Sequence, residues 1–130
     1  MSIVGHGIDM VPIEEIRRLV SSADGHFIVQ CFTESEREDS GTGSNQPERL
    51  AGRFAAKEAV AKALGVGWGD GVAWTDIEIL SRESGAPFVE LHSLVELVAD
   101  ALGIRRWLLS ITHSDEYALA SVIALSDCES

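Results

Sequence analysis

One segment limits the folds open to this chain more than any other: the run from Pro47 to Leu64, closed by Gly65. Proline in a first turn and glycine just past a last turn punctuate a helix, so the pattern predicts a principal helix over 47–64. On a wheel of 100° per residue, Arg53 and Lys57 share one line, and Glu58 and Lys62 share another about 140° round. Leu50, Phe54, Ala61 and Leu64 fall between these lines, and Ala55, Ala56, Ala59 and Ala63 form the opposite face. Side chains that small allow another element to approach closely. Such a helix is largely buried, and the charges along its flanks are more than solvated decoration.

The rest of the chain is read around that helix. Residues 2–10 are short and apolar, broken by Gly5 and Gly7, and predict a first strand ending at Asp9. Pro12 fits the first turn of a helix continued by Ile13, Ile16, Leu19 and Val20, with a turn at 21–25. Residues 27–32 predict a short helix, and Thr33 with Glu36 makes a capping box that opens another. Residues 39–47 read as a mobile loop. Beyond Gly65 the period changes to that of strands, at 72–80, 87–91, 107–112 and 117–125, with a hairpin turn at 84–86. A helix through Leu94, Val95, Val98 and Leu102 closes at Gly103, and 113–116 is a tight turn. Helices first and antiparallel strands later make the class α+β. The 130 residues form a single domain, 1–130.

Hydrophobic residues make up 45% of the chain, enough for a packed core, and the formal net charge is −11. That balance argues against nucleic acid as a partner, where a basic footprint supplies most of the affinity, and against docking on anionic lipid. An acidic partner would have to meet a local basic patch. No apolar run reaches the roughly 18–20 residues of a membrane span. Cys31 and Cys128 lie far apart, and the opening residues carry no secretory pattern, so a reduced, cytoplasmic protein is expected.

Three places combine the residue types that a metal and a phosphate ester require. Glu58 and Lys62, one turn apart, could be no more than an i,i+4 ion pair. With Asp9 brought in from a strand end, the two carboxylates could instead hold one hard cation, since Mg²⁺ commonly takes one or two carboxylates and completes its shell with phosphate and water. Asp9 alone could be a turn or helix-cap residue. His113 could bond a backbone carbonyl or, beside a phosphate, donate a hydrogen bond. The glycines of Gly65-Val66-Gly67-Trp68-Gly69 follow a helix rather than precede one, so they read as a C-cap and turn and not as a phosphate loop.

Taken together, Gly7-Ile8-Asp9, Phe32-Thr33 with Ser35-Glu36, the stretch Leu50-Ala51-Gly52-Arg53-Phe54-Ala55-Ala56-Lys57-Glu58-Ala59, Lys62-Ala63-Leu64-Gly65, and Ser110-Ile111-Thr112-His113 followed by Tyr117-Ala118 resemble the holo-[acyl-carrier-protein] synthase family of 4'-phosphopantetheinyl transferases. The resemblance implies a compact α+β fold, a long central helix against an antiparallel sheet, assembling as a homotrimer with coenzyme A in clefts between subunits. It implies Mg²⁺-dependent transfer of 4'-phosphopantetheine to a serine of apo-acyl carrier protein in fatty acid biosynthesis, leaving adenosine 3',5'-bisphosphate. By position, Asp9 and Glu58 match the Mg²⁺ ligands, Glu58 and Lys62 the catalytic groups. Arg53, Lys62, Gly65, Gly67 and His113 match coenzyme A contacts, His113 reaching in from a neighbouring subunit. A non-catalytic trimer that binds coenzyme A or a nucleotide on the same scaffold is the alternative. One departure stands out. Family members meet their acidic carrier with basic residues on the first helix, whereas here Glu14 and Glu15 precede Arg17 and Arg18, leaving Arg17, Arg18 and Arg37 as the candidate patch.

Overall fold

The computed structural model describes residues 1–22 and 25–127. Cys128 and part of the turn expected at 21–25 lie outside these residues. The elements run β1 (Ser2–Pro12), α1 (Ile13–Val20), α2 (His26–Cys31), α3 (Glu34–Ser40), α4 (Gln46–Leu64), β2 (Ile77–Ser81), β3 (Pro87–Leu91), α5 (Ser93–Ala101), β4 (Ile104–His113) and β5 (Tyr117–Ser126). They form two antiparallel sheets: a three-stranded one in the order β1-β5-β4, and a β2-β3 hairpin. The α+β class and the long helix against a sheet are therefore borne out.

Helix α4 is the axis of the core. Its first turn carries Pro47 and its last is capped by Gly65 in the left-handed region, φ 74°. Ala55, Ala56, Ala59 and Val60 are fully buried. The element that uses the alanine face is β1. A methyl group placed on Gly7 would sit 1.9 Å from the carbonyl oxygen of Ala59, and one on Gly5 would sit 2.5 Å from that of Ala63. Glycine in the strand and alanine on the helix are thus two halves of one backbone-to-backbone contact.

Two charges lie inside this core. Lys57 and Glu36 are both at 0% exposure and pair at 2.7 Å. The Lys57 ammonium also donates to the carbonyls of Trp74, at 3.0 Å, and Ile77. Burial pushes this lysine below its ordinary pKa, and Glu36 opposes the shift. The Glu36 carboxylate accepts from the Thr33 amide at 3.0 Å, closing the expected capping box, and from the Ile79 amide at 2.9 Å. Thr33 in turn donates through its hydroxyl to Glu78, which also contacts His92 at 3.0 Å. Both charges of this pair are thus matched by further hydrogen bonds, as a buried charge requires.

Several boundaries differ from the sequence pattern. Residues 39 and 40 extend α3, so the loop before α4 is shorter than expected. The strand expected from Val72 begins at Ile77. Asp70 (φ 52°) and Gly71 (φ 90°) instead turn the chain back on itself between Gly69 and Val72, whose backbones exchange hydrogen bonds of 3.0 and 2.9 Å. Left-handed backbone at both central positions is the tight mirror-image turn that an Asp-Gly pair favours. A short 3-10 turn, Trp74–Asp76, leads into β2.

Candidate functional site

The contact between β1 and α4 also positions the chemistry. Side chains alternate along a strand, so Asp9 lies on the same inward face as Gly7, two residues on, and is carried to the flank of α4. There the Lys62 ammonium donates to Asp9 Oδ1 at 2.9 Å and to the Ile8 carbonyl at 3.0 Å. Asp9 does not cap α1; Pro12 occupies that position without a side-chain bond. Among the described residues the ion pair of Lys62 is with Asp9 rather than with Glu58, one turn away.

Glu58 faces the same space. Its carboxyl is pushed above the ordinary range first by burial; a hydrogen bond from the Trp68 side chain pulls it back, the charge of Asp9 raises it, and that of Lys62 lowers it. Two carboxylates from separate elements thus lie near enough for the charge of one to act on the other, with the ammonium of Lys62 paired to Asp9. Their donors are all oxygen, which suits a hard cation rather than a soft one. Among the described residues no third Asp, Glu, His or Cys joins them. Such a pair fits Mg²⁺ held mainly by water and substrate phosphate, and does not fit a closed structural metal site.

The remaining expected residues fall into a second group. Arg53 is buried and donates to the Ile79 carbonyl at 3.2 Å and the Ser81 hydroxyl at 3.1 Å. Burial lowers its pKa, while Asp39, 3.9 Å away, acts in the opposite direction. With Arg49, Ile111 and His113 it lines a cleft of about 220 Å³ under the β2-β3 hairpin. His113, exposed at the end of β4, contacts the Ser114 carbonyl through Nδ1 at 3.2 Å. Gly65 and Gly67 lie beyond the other end of α4, each with open space where a side chain would be. Arg53 and Gly65 are separated by about 18 Å of helix, and β5 stands between the strands of Asp9 and His113. The chain therefore brings Asp9, Glu58 and Lys62 together and keeps Arg53 with His113 in a separate cleft.

Trp68 and Arg49 did not emerge from the sequence. Arg49 is one of several arginines with nothing in its spacing to single it out. Trp68 had a signal, a large aromatic set between Gly67 and Gly69 in a turn where exposure would be costly. The candidate basic patch is mostly engaged: Arg17 pairs with Glu14 at 2.6 Å and Glu48 at 3.0 Å, and Arg37 donates to the Thr33 carbonyl at 3.3 Å.

Comparison with known proteins decides the family. The model of the 4'-phosphopantetheinyl transferase superfamily matches residues 5–122. The chain belongs to that superfamily. It is 42% identical over 125 residues to a holo-[acyl-carrier-protein] synthase of Natranaerobius thermophilus, covering 96% of this chain and 99% of the relative. The crystal structure of a holo-[acyl-carrier-protein] synthase from Neisseria meningitidis superposes with a TM-score of 0.84 at 31% identity, covering 96% of this chain and 100% of the other. The synthase from Helicobacter pylori, solved in complex with coenzyme A, superposes with a TM-score of 0.80 at 31% identity, covering 92% and 99%. The family, the fold and the enzyme class expected from the sequence are borne out. No helix among the described residues is long and apolar enough to cross a membrane.

Proposed function

We propose that this chain transfers 4'-phosphopantetheine from coenzyme A to a serine of apo-acyl carrier protein, with Mg²⁺ as the metal and adenosine 3',5'-bisphosphate as the leaving product, serving fatty acid biosynthesis in the cytoplasm. The observation that carries the reading is the meeting of Asp9, Glu58 and Lys62 at the β1–α4 contact, in a chain related along its length to holo-acyl-carrier-protein synthases.

Asp9 and Glu58 would hold Mg²⁺, which when bound supplies charge neutralisation at the pyrophosphate. Lys62 stands beside them as a fixed positive charge for the leaving phosphate. The carrier serine attacks the phosphorus that bears pantetheine as the bond to the leaving adenosine 3',5'-bisphosphate breaks, and its proton passes to a carboxylate or solvent; Glu58, whose carboxyl burial raises above the ordinary range, is the candidate acceptor. Gly65 and Gly67 leave room for the coenzyme to approach the backbone closely. Arg53 and His113, with Arg49, offer cationic and hydrogen-bonding groups for its phosphate at the other cleft.

That separation favours a site shared between copies. The outward face of the three-stranded sheet is apolar and open: Ile8 is 56% exposed, Met10 57% and Leu108 44%, with Leu119 and Ile123 between them. Exposed apolar area of this kind marks an interface, and a homotrimer closed over it would bring the Arg53–His113 cleft of one subunit toward the Asp9–Glu58–Lys62 group of the next.

The test is mass spectrometry of an apo-acyl carrier protein incubated with the protein, coenzyme A and Mg²⁺. A gain of one phosphopantetheine per carrier is expected, lost in Asp9→Ala and Glu58→Gln while both variants remain folded. Binding of coenzyme A without a mass change would instead favour the non-catalytic module, and normal turnover in both variants would overturn the metal assignment.

A further inference from the structure

Basic side chains are scarce in this chain, 10 against 21 acidic ones, and most are committed to the fold. Both lysines, and every arginine before residue 82 except Arg18, bond to a carboxylate or carbonyl of the protein. The last three arginines gather instead. Arg82, Arg105 and Arg106 are exposed and line one cleft of about 470 Å³ between β3 and the edge strand β4. No carboxylate among the described residues lines it with them. Consecutive side chains of a regular strand point to opposite faces, and the register shift between Ile104 and Arg106 breaks that alternation so that both arginines reach the cleft. The Arg82 guanidinium lies over the Phe88 ring, 4.6 Å from its centroid. Neither Arg82 nor Arg106 is ion-paired among the described residues. Arg105 donates to the Ile104 carbonyl at 2.9 Å and stands 3.7 Å from Asp100, an exposed contact that holds little. Phe88 and the half-buried Trp107 supply apolar lining. Pro87 lines this cleft and also the one that contains Arg53 and His113, so the two adjoin.

We propose that this arginine cleft docks the protein substrate, the carrier, through an acidic face of that partner; the inference rests on the reading of the chain as a transferase that acts on a carrier protein. At a net charge of −11 the average field repels an acidic protein, and here cations gather with no carboxylate lining the cleft to oppose them. Three exposed guanidinium groups spread along a cleft match a charged surface rather than close on one small anion. Arginine beside aromatic rings is also the composition that anchors protein contacts. Position supplies a second reason. A carrier seated there stands next to the cleft assigned to the coenzyme phosphate, which a shared site turns toward the Asp9–Glu58–Lys62 group of the next copy. The first helix offers less, because Arg17 is already held by Glu14 and Glu48.

The test is the double charge reversal Arg82→Glu with Arg106→Glu in the full chain. The KM for apo-acyl carrier protein should rise about tenfold or more, while kcat at saturating carrier and the KM for coenzyme A stay within about twofold. Fluorescence anisotropy of a labelled apo-carrier, read without coenzyme, should show the same loss of affinity. Raising salt from about 0.05 M to about 0.5 M should weaken carrier binding by the wild type more than by the variant. Melting temperature and size-exclusion profile should match the wild type. Carrier KM and affinity within about twofold of wild type in the double reversal would overturn the docking assignment and leave the transferase reading standing; a loss on Arg18→Glu instead would return the contact to α1. A changed oligomeric state would give the arginines to a contact between copies, and an oligonucleotide held through them in preference to the carrier would name another occupant. Either result overturns the assignment. A wild-type protein that binds carrier through Arg82 and Arg106 yet modifies none would keep the docking surface and sink the transferase reading.

Discussion

Gly7→Ala tests the contact on which the whole site is built. The added methyl would lie 1.9 Å from the Ala59 carbonyl oxygen, 2.8 Å from its carbon and 3.2 Å from the Ala59 Cα, where ordinary contact begins at 3.4 Å. Strand β1 would have to retreat by about 1.5 Å, and every atom in the way is main chain, so no rotamer change relieves it. Overpacking commonly costs about 1–3 kcal/mol, and a clash against backbone belongs at or above the top of that range. For a chain of 130 residues, about 3 kcal/mol corresponds to a melting temperature lower by about 10 °C. Calorimetry or circular dichroism at equal protein concentration measures it. Gly67→Ala, with no atom within 4 Å of the added group, should stay within about 0.5 kcal/mol of wild type. Ala59→Gly should not rescue Gly7→Ala, because removing the Ala59 methyl leaves the clashing atoms in place; it should cost about 1 kcal/mol more through helix propensity. Melting of Gly7→Ala within about 3 °C of wild type, or recovery in the double variant, would refute this account of the contact.

Two further outcomes follow from the buried network. Lys57→Met strands the Glu36 carboxylate in the core and should destabilise by about 3–5 kcal/mol in denaturant unfolding, while adding Glu36→Gln should recover part of the loss; equal or greater loss in the double variant would show that the pair is not what Lys57 supplies. Burial pushes Glu78 up, but hydrogen bonds with Thr33 and His92 outweigh it and leave its pKa below the ordinary carboxylate value. Its contribution to stability is therefore present above the unfolded value of 4.5 and is lost as pH falls through the lower folded value. The stability gap between wild type and Glu78→Gln should narrow with acidification across that window, and a gap that is constant or widens would contradict the assignment.

Much of this arrangement was legible because it follows from size and spacing. Alanines at 55, 56, 59 and 63 announce that some element approaches the helix closely, though not that the glycines of β1 are its counterpart, and α4 sits where its proline and glycine place it. Asp9, Glu58 and Lys62 were legible as types in a pattern, although spacing alone could not say that Lys62 would turn to Asp9 rather than to Glu58. What escaped depends on long-range folding. Lys57 and Lys62 each flank the apolar stripe on a wheel, yet one is sealed against Glu36 and the other is half-exposed beside Asp9. Val72 looks like the start of a strand until the Asp70-Gly71 reversal is known, and Trp68 acquires a meaning only when that reversal sets it on Trp74. Arg53 and His113 share a cleft because β4 passes beneath the hairpin, a pairing that no local signal encodes.

The Glu36 carboxylate ties together parts of the molecule that are distant along the chain. It closes the start of α3, receives an amide from β2 and balances an ammonium from α4. Opening any one of the three would abandon a bare charge in an apolar interior. This half of the protein is thereby denied partial unfolding, and helix α4 keeps its rotational setting for as long as the chain stays folded.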